Sequence, residues 1–559
     1  MSHPLLSLVA IGARWQQRAF LRKLPQSIQR QEQFLRSLLS HHQSTELGQA
    51  LQLAHISSID QFRQDVPIGS YSSYQPYFER AATGAQNVVS PEPLIHLNLS
   101  SGSTGQQKLI PITQRAQRQR AYANQVAMGF AFEQVRQRRL PLGPVLATTA
   151  AQPLGQTSGG IPYGHVSGNQ LRASRSLLFN RIFAQPFEAL LIANSLARNY
   201  LCLLFALQNP DLAVIAANFP LIALQLCQIL EKHAESLIED LEIGEIADWI
   251  KLEPEMRRSL GRRFKPTPHR AKQLRQILRS QGRLLPRFAW PHLAFLVTAK
   301  GGPSNFYFEQ FAEYFGEVPI FGGTYAASEA VFGSHWNFNT DGTLLAIESN
   351  FYEFVPADQW DISQPKTLLP HEVTVGELYR ILITNYSGFY RYDVGDVVEV
   401  TGFRGNVPLI AFRYRRGGTL SAISEKTTEY HAVQVMTALQ AKFSLPVEDF
   451  CITLSQEMLL PYYILNIELA GDLEAAEAAA VLQAFDQQLG VVNSSYRLKR
   501  ENHDIAAPQL NVLKPGSFYQ LRQNQLAAGQ GDDTQVKLPH ISRDRALLSE
   551  TQIIWQLRL

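Results

Sequence analysis

The chain has 559 residues, of which 45% are hydrophobic and 18% charged, and its formal net charge is +3. That length exceeds what one core serves, so two or more domains are expected, and the even charge balance lacks the concentrated basic face of a nucleic-acid binder. Its three cysteines, Cys202, Cys227 and Cys451, stand in apolar surroundings without metal-ligand spacing, and read as buried free thiols rather than a disulfide framework or a metal site.

In chain order, residues 1–65 read as polar-rich helix. The opening MSHPLLSLVAIGARW holds a short apolar run with no basic residue ahead of it, a poor signal peptide. No apolar run reaches the roughly 18 residues of a membrane span. From Leu94 onward short apolar strands, LIHLNL and VLATTA, alternate with helices, which predicts an α/β sheet with helices on its faces. The arginine-rich stretch 115–139 is interleaved with apolar residues and reads as a solvated helix face. Over 221–241 a helix is expected, with Leu224, Cys227, Leu230, Ala234, Leu237 and Leu241 forming its buried stripe. Three further strand-and-loop units follow: LAFLVTAKGG, VPIFGGTYAASEA and ELYRILITNYSGFYRYDVGDVVEVTGF. Ligands of open α/β sheets bind at such strand ends. A basic, glycine-containing stretch, Phe412 to Gly418, reads as a hinge, with a domain boundary near Gly417. Beyond it the strands FCITLS and YYILNIEL and a helix capped by Asp472 and closed by Gly490 give an α+β pattern.

Four features carry chemistry. LSSGSTGQQKL, 99–109, is hydroxyl-rich and ends in a lysine, but two glutamines separate Gly105 from Lys108, so it is not a Walker A loop. Backbone amides around Gly102 and Gly105 and the hydroxyls of Ser100, Ser101, Ser103 and Thr104 can still donate to phosphate oxygens while Lys108 supplies charge; an ordinary strand-to-helix turn is the other reading. In GGTYAASE, Tyr325, next to Thr324, can lay its ring on a purine, Ser328 can donate to a phosphate, and Glu329 offers a hard oxygen to magnesium; a helix start fits equally. In YRYDVGD, Asp396 on a glycine-assisted turn is the type of carboxylate that grips a ribose diol, with Arg391 pairing with it or meeting a phosphate; a hairpin turn with a structural ion pair is the alternative. Lys537, after the glycine-rich run AAGQGDD, could reach a site elsewhere as a cation or be a lone surface lysine.

Taken together and in this order, SSGSTGQQK, TYAASE, YRYDVGD, a basic hinge and a late lysine resemble the adenylate-forming superfamily of acyl-CoA synthetases and luciferases. The chain is more closely similar to the GH3 acyl acid–amido synthetases, as a bacterial-type member. IDQFRQDVPIGSYSSYQPYFERAATG, WPHLAFLVTAKGG, FRYRRGGTLSAISEKTTEYHAV and TQVKLPHIS extend the resemblance over nearly the whole length. Gln106, Gln107, Ala327 and Asp393 depart from the commonest residues of the family loops and bear on substrate identity.

The resemblance implies an α/β N-terminal domain over 1–416, of mixed sheets flanked by helices with a β-barrel part, and a small, mobile α+β domain over 417–559. It implies an ATP- and magnesium-dependent ligase that adenylates a carboxylic acid and passes the acyl group to an amine, an amino acid, forming an amide. Residues 100–108 would hold the β- and γ-phosphates, Tyr325 would stack on adenine, Ser328 would contact the α-phosphate, Glu329 would bind magnesium, and Asp396 would hold the ribose hydroxyls. Arg415 or Arg416 would meet the α-phosphate or ribose, and Lys537 would stabilise the adenylation transition state. The alternatives are an acyl-CoA ligase and a non-catalytic nucleotide-binding scaffold. The expected setting is a cytoplasmic monomer with small-molecule partners, no nucleic acid and no membrane span.

Overall fold

The computed structural model describes residues 4–100, 108–173, 179–416, 418–423, 425–457, 460–471, 473–527, 536–548 and 552–558. They form two compact units. The first comprises Met1–Lys300, Tyr307–Val394 and Val398–Ala411, and the second Gly301–Phe306, Gly395–Val397 and Phe412–Leu559. The division is therefore not one cut in the chain: its long C-terminal portion begins at Phe412, and Gly417 lies outside the described residues.

The first unit opens with helices, among them Pro4–Lys23 and Ser27–His42. Its first sheet has the order Leu109–Thr113, Leu94–Leu99, Pro162–His165, Gly155–Gln156, and mixes antiparallel and parallel pairs. A second sheet, Val145–Ala147, Val214–Ala216, Phe295–Val297 and Ile320–Phe321, is wholly parallel. Parallel strands need crossovers, and the alternating strand-and-helix sequence supplies them. The third sheet has seven strands, in the order Phe351–Pro356, Leu378–Asn385, Phe389–Arg404, Val407–Arg415, Thr343–Leu345, Val331–His335, Thr324–Ala326. A core rich in aromatics backs it, including Phe62, Phe78, Phe351, Phe389, Tyr390 and Tyr392.

Local chemistry sets the element ends. Thr113 closes its strand and at once caps the helix Gln114–Gln137, its hydroxyl accepting from the Ala116 amide at 3.2 Å. The helix expected over 221–241 is two helices, Pro220–Lys232 and Ala234–Ile243, broken at His233, whose ring stacks on Trp249 at 4.8 Å. The buried stripe survives the break: Leu224, Cys227, Leu230, Ala234, Leu237 and Leu241 are all buried. The three cysteines are free and buried.

The second unit is α+β. Its sheet runs Val447–Leu454, Tyr463–Leu469, Gln509–Leu513, Ile553–Arg558, with antiparallel outer pairs and a parallel central pair. The helix after FCITLS and YYILNIEL is Ala475–Val492. Asp472 is outside the described residues, and Gly490 lies within this helix instead of closing it. Asn493 ends it, because its side chain accepts from the Tyr496 amide at 3.1 Å and starts the helix Ser494–Glu501. The helix Glu429–Phe443, which the sequence reading passed over, opens with a reciprocal capping box between Thr428 and His431.

Candidate active site

Within the first unit the expected phosphate loop leaves the strand Leu94–Leu99 and returns at Leu109–Thr113. Its base is described and closed: the Ser100 amide donates to the Lys108 carbonyl at 3.1 Å, and the Lys108 amide to Ser100 Oγ at 3.4 Å. Ser101, Gly102, Ser103, Thr104 and Gly105 lie outside the described residues. Tyr71 holds the returning strand, accepting from the Leu109 amide at 2.9 Å and donating to the Leu109 carbonyl at 3.1 Å. Burial raises its hydroxyl pKa to about 12, against the opposing effect of the Leu109 bond.

Lys108 Nζ lies 5.3 Å from the Tyr71 ring centroid and donates to the Tyr392 hydroxyl at 3.4 Å. That hydroxyl in turn donates to Glu329 Oε1 at 3.3 Å. One phenol thus ties together the cation of the first motif and the carboxylate of the second.

GGTYAASE is not a helix start. Thr324–Ala326 and Val331–His335 are antiparallel strands, joined by a turn in which the Ala327 amide donates to the Ala330 carbonyl at 2.8 Å. Four donors hold this turn. Arg120 reaches the carbonyls of Ala327, at 3.2 Å, and Ser328; Asn98 reaches Ser328 at 3.3 Å; Asn385 reaches Glu329 at 3.1 Å. The Ser328 hydroxyl, expected to face a phosphate, donates to the Leu99 carbonyl at 3.1 Å. Thr324 donates to Asn124 Oδ1 at 3.3 Å, and Tyr325, half-buried, stacks on Phe332 at 4.6 Å.

Arg120 belongs to the stretch read as a solvated helix face, yet it is buried. Burial lowers its pKa to about 10, opposed by the field of Glu329. The signal was its stride: Ala116, Arg120, Ala123 and Ala127 follow one another at three- and four-residue steps on the buried side.

The third motif is not a turn; Tyr390 to Asp396 lie inside the long strand Phe389–Arg404. Arg391 does not pair with Asp396. It is buried at φ +47° and grips Glu353, with Nε 3.0 Å from Oε2 and Nη2 3.0 Å from Oε1. Its Nη1 donates to the carbonyls of Arg63 at 2.6 Å and Val66 at 2.8 Å. Every arm of the guanidinium is spent on protein. Asp393 accepts from Arg380 at 2.9 Å.

In the second unit, buried Asp396 accepts from Arg415 Nε at 2.7 Å, and the Arg416 amide donates to the carbonyl of Gly395, a residue at φ +82°. Val536 and Leu538 are buried, whereas Lys537 between them keeps solvent-exposed surface. The segment is fixed by a parallel bridge of Ile541 to Ile452, and by His540, whose amide donates to Glu429 Oε1 at 3.0 Å while its ring stacks on Phe450 at 4.5 Å. Although the Lys537 side chain keeps a solvent-exposed face, the protein crowded around it lowers its pKa, with Arg415 acting in the same direction and Glu429 and Asp396 opposing. Asp396, Arg415 and Lys537 therefore share one electrostatic neighbourhood. Sequence reading did not find Glu429 or His540 there.

A family model matches three consecutive segments: the GH3 family N-terminal domain over residues 16–320, the central domain over 343–415 and the C-terminal domain over 430–546. The chain belongs to the GH3 family. Among curated GH3 relatives it is 24% identical to "Jasmonoyl--L-amino acid synthetase JAR4" of Nicotiana attenuata, covering 88% of this chain and 87% of the relative. It is 27% identical to "Probable indole-3-acetic acid-amido synthetase GH3.1" of Oryza sativa subsp. japonica, covering 87% and 82%. In fold it is similar to the GH3.15 acyl acid amido synthetase, with TM-score 0.85, 22% identity and 97% of both chains covered. It also resembles a 2-hydroxyisobutyryl-CoA ligase in the postadenylation state, with TM-score 0.51, 14% identity and 95% and 90% covered. An α/β body of mixed sheets with an α+β C-terminal unit is thus the architecture of GH3 and other adenylate-forming enzymes.

Proposed function

We infer that this chain is an acyl acid–amido synthetase: a ligase that activates a carboxylic acid with ATP as an acyl-adenylate, releases pyrophosphate, and transfers the acyl group to an amine, displacing AMP. The observation that carries this reading is the collinear match of all three GH3 segments from residue 16 to residue 546. One relative's name joins a jasmonoyl group to an L-amino acid and another's names an amide of indole-3-acetic acid; here an amino acid acceptor and a small carboxylic acid are proposed.

A carboxylate is a poor acylating agent, and adenylation gives it a leaving group. The step needs charge neutralisation and alignment more than acid–base chemistry. In the proposed roles Lys108, held by Tyr71 and Tyr392, neutralises the outer phosphates together with the hydroxyls and amides of residues 100–105. Glu329 supplies one hard oxygen to magnesium, which fits an ion that takes one or two carboxylates and completes its shell with substrate phosphates and water; magnesium would offset phosphate charge. Tyr325 and Thr324 flank the base, Ser328 turns from Leu99 to the α-phosphate, Asp396 takes the ribose hydroxyls, and Arg415 or Arg416 the α-phosphate. Lys537, carried by the small C-terminal domain, acts in adenylation and is withdrawn for amide formation. Arg391 has no part in this scheme.

Among the described residues no helix is long and apolar enough to cross a membrane. A cytoplasmic monomer of bacterial type belongs to the same proposal, although the relatives named above are plant proteins and lend the bacterial assignment no support. The experiment that tests the function is acid-dependent ATP–pyrophosphate exchange over a panel of aryl, indole, cyclic and fatty acids, followed by product detection with amino acids or coenzyme A as acceptor. Exchange followed by amide formation is expected. A thioester would make it an acyl-CoA ligase, and ATP binding without exchange over the whole panel would make it a nucleotide-binding scaffold.

A further inference from the structure

The apolar run near the start of the sequence, unsuited to a signal peptide, has no part in the chemistry above. It lies in the helix Pro4–Lys23. One side of that helix is packed: Leu6, Ala10, Ala13, Gln17 and Phe20 are buried. Gly129 of the helix Gln114–Gln137 has no side chain where Ala13 and Gln17 come closest, and Arg14 pairs with Glu133 at 2.9 Å.

The opposite side carries Leu8, Ile11 and Trp15, exposed at 67%, 60% and 65%. Exposed Arg18 and Arg22 follow on the same line at three- and four-residue steps. Scattered exposed hydrophobics are ordinary, but three large ones in one stripe are not. The helix contains Arg14, Arg18, Arg22 and Lys23 and no acidic residue. Among the described residues, no hydrogen bond or ion pair engages Arg18 or Arg22.

The occupant follows from charge. A second copy of the helix is a poor partner: antiparallel pairing would bury Arg18 and Arg22 against Leu8 and Ile11, and parallel pairing would set guanidinium on guanidinium, with no carboxylate on either helix to offset the desolvation. A surface with an apolar layer beneath a sheet of fixed negative charge satisfies both halves of the stripe. Leu8 to Trp15 span about 10 Å along the axis, enough for shallow insertion and far too short to cross a bilayer. Tryptophan favours the headgroup boundary and arginine the lipid phosphates.

We propose that this face docks the enzyme on an anionic lipid bilayer, with Leu8, Ile11 and Trp15 entering the headgroup–acyl boundary and Arg18 and Arg22 meeting lipid phosphates. Apolar carboxylic acids partition into the same boundary, so docking would place the enzyme beside such substrates.

The test is co-sedimentation of the full chain with vesicles of phosphatidylcholine alone and of phosphatidylcholine with phosphatidylglycerol, at low and high salt. Binding to the mixed vesicles is expected at least about tenfold above that to the neutral ones, weakening as salt rises. The double variant Leu8→Ser/Trp15→Ser should lose binding to both, and Arg18→Gln/Arg22→Gln should lose the preference for anionic lipid. An unchanged melting temperature in both variants shows the fold intact. Equal binding to both vesicle types, no binding to either, or full binding by the Leu8→Ser/Trp15→Ser variant overturns the proposal. So does a concentration-dependent dimer in sedimentation velocity that this variant abolishes, in the absence of vesicle binding, which would assign the face to self-association.

Discussion

Arg391→Ala should destabilise the first unit before it does anything to nucleotide binding. The side chain is 4% exposed and its partner Glu353 1%, and the guanidinium also serves the carbonyls of Arg63 and Val66. Truncation would leave the Glu353 carboxylate buried, with the Thr367 hydroxyl, at 2.6 Å, and a distant Arg63, at 3.9 Å, as its remaining partners among the described residues. Removing one partner of a buried pair costs about 3–5 kcal/mol. A unit of about 400 residues has an unfolding entropy near 0.8 kcal/mol/K, so the melting temperature should fall by roughly 4–6 °C. The double variant Arg391→Met/Glu353→Met removes both charges and should recover most of that loss, since replacing a whole buried pair by apolar groups is often neutral. Differential scanning calorimetry gives the melting temperature, and titration calorimetry with ATP gives the affinity. An Arg391→Ala protein that melts like wild type but binds ATP ten times more weakly would refute the reasoning, because the guanidinium would then be a ligand group.

Lys537→Ala should lower ATP–pyrophosphate exchange by about 100-fold or more and leave amide formation from supplied acyl-adenylate within a few-fold; equal loss in both steps removes it from adenylation. Tyr392→Phe deletes the hydroxyl between Lys108 and Glu329, and the loss of hydrogen bonds to two charged groups should cost about 1.5–3 kcal/mol, or roughly 10- to 100-fold in kcat/KM for ATP, which steady-state exchange measures. Burial lowers the His42 pKa from its ordinary value of 6.5 to about 3. The unfolded chain therefore binds a proton the folded one refuses, and stability should rise with pH across that window by up to about 1.4 kcal/mol per pH unit. Denaturant titrations from pH 4 to 7 on wild type and His42→Gln should show the smaller slope in the variant. A glycine-to-alanine change within a helix ordinarily stabilises by up to about 1 kcal/mol. At Gly129 a Cβ would collide with both the Ala13 carbonyl oxygen and Gln17 Cβ. Gly129→Ala should therefore be destabilising, by about 1–3 kcal/mol, as a lower midpoint in the same titrations.

Local sequence was sufficient wherever a short-range rule acts. Strand-and-helix alternation follows from apolar periodicity, and so do the α+β pattern of the C-terminal portion and the buried stripe over 221–241. The ordered set SSGSTGQQK, TYAASE and YRYDVGD marks the GH3 family because it spans the chain. What failed were readings that needed a partner far away in sequence. Arg391 was open to pairing with Asp396, meeting a phosphate or forming a structural ion pair, and the partner that decided for the ion pair, Glu353, lies 38 positions earlier. Arg120 looked solvated until the turn at Ala327 and Ser328, more than 200 positions later, took its donors. Asp396 looked like part of a turn, but the ladder of the long strand around it is set by its neighbours in the sheet. A charge's role depends on what neutralises it, and burial makes that choice over distances that no sequence window covers. Residue types and their order thus determined the family and the chemistry available to it; the tertiary structure decided which charges are structural, which hydroxyl joins Lys108 to Glu329, and which face of the first helix remains uncovered.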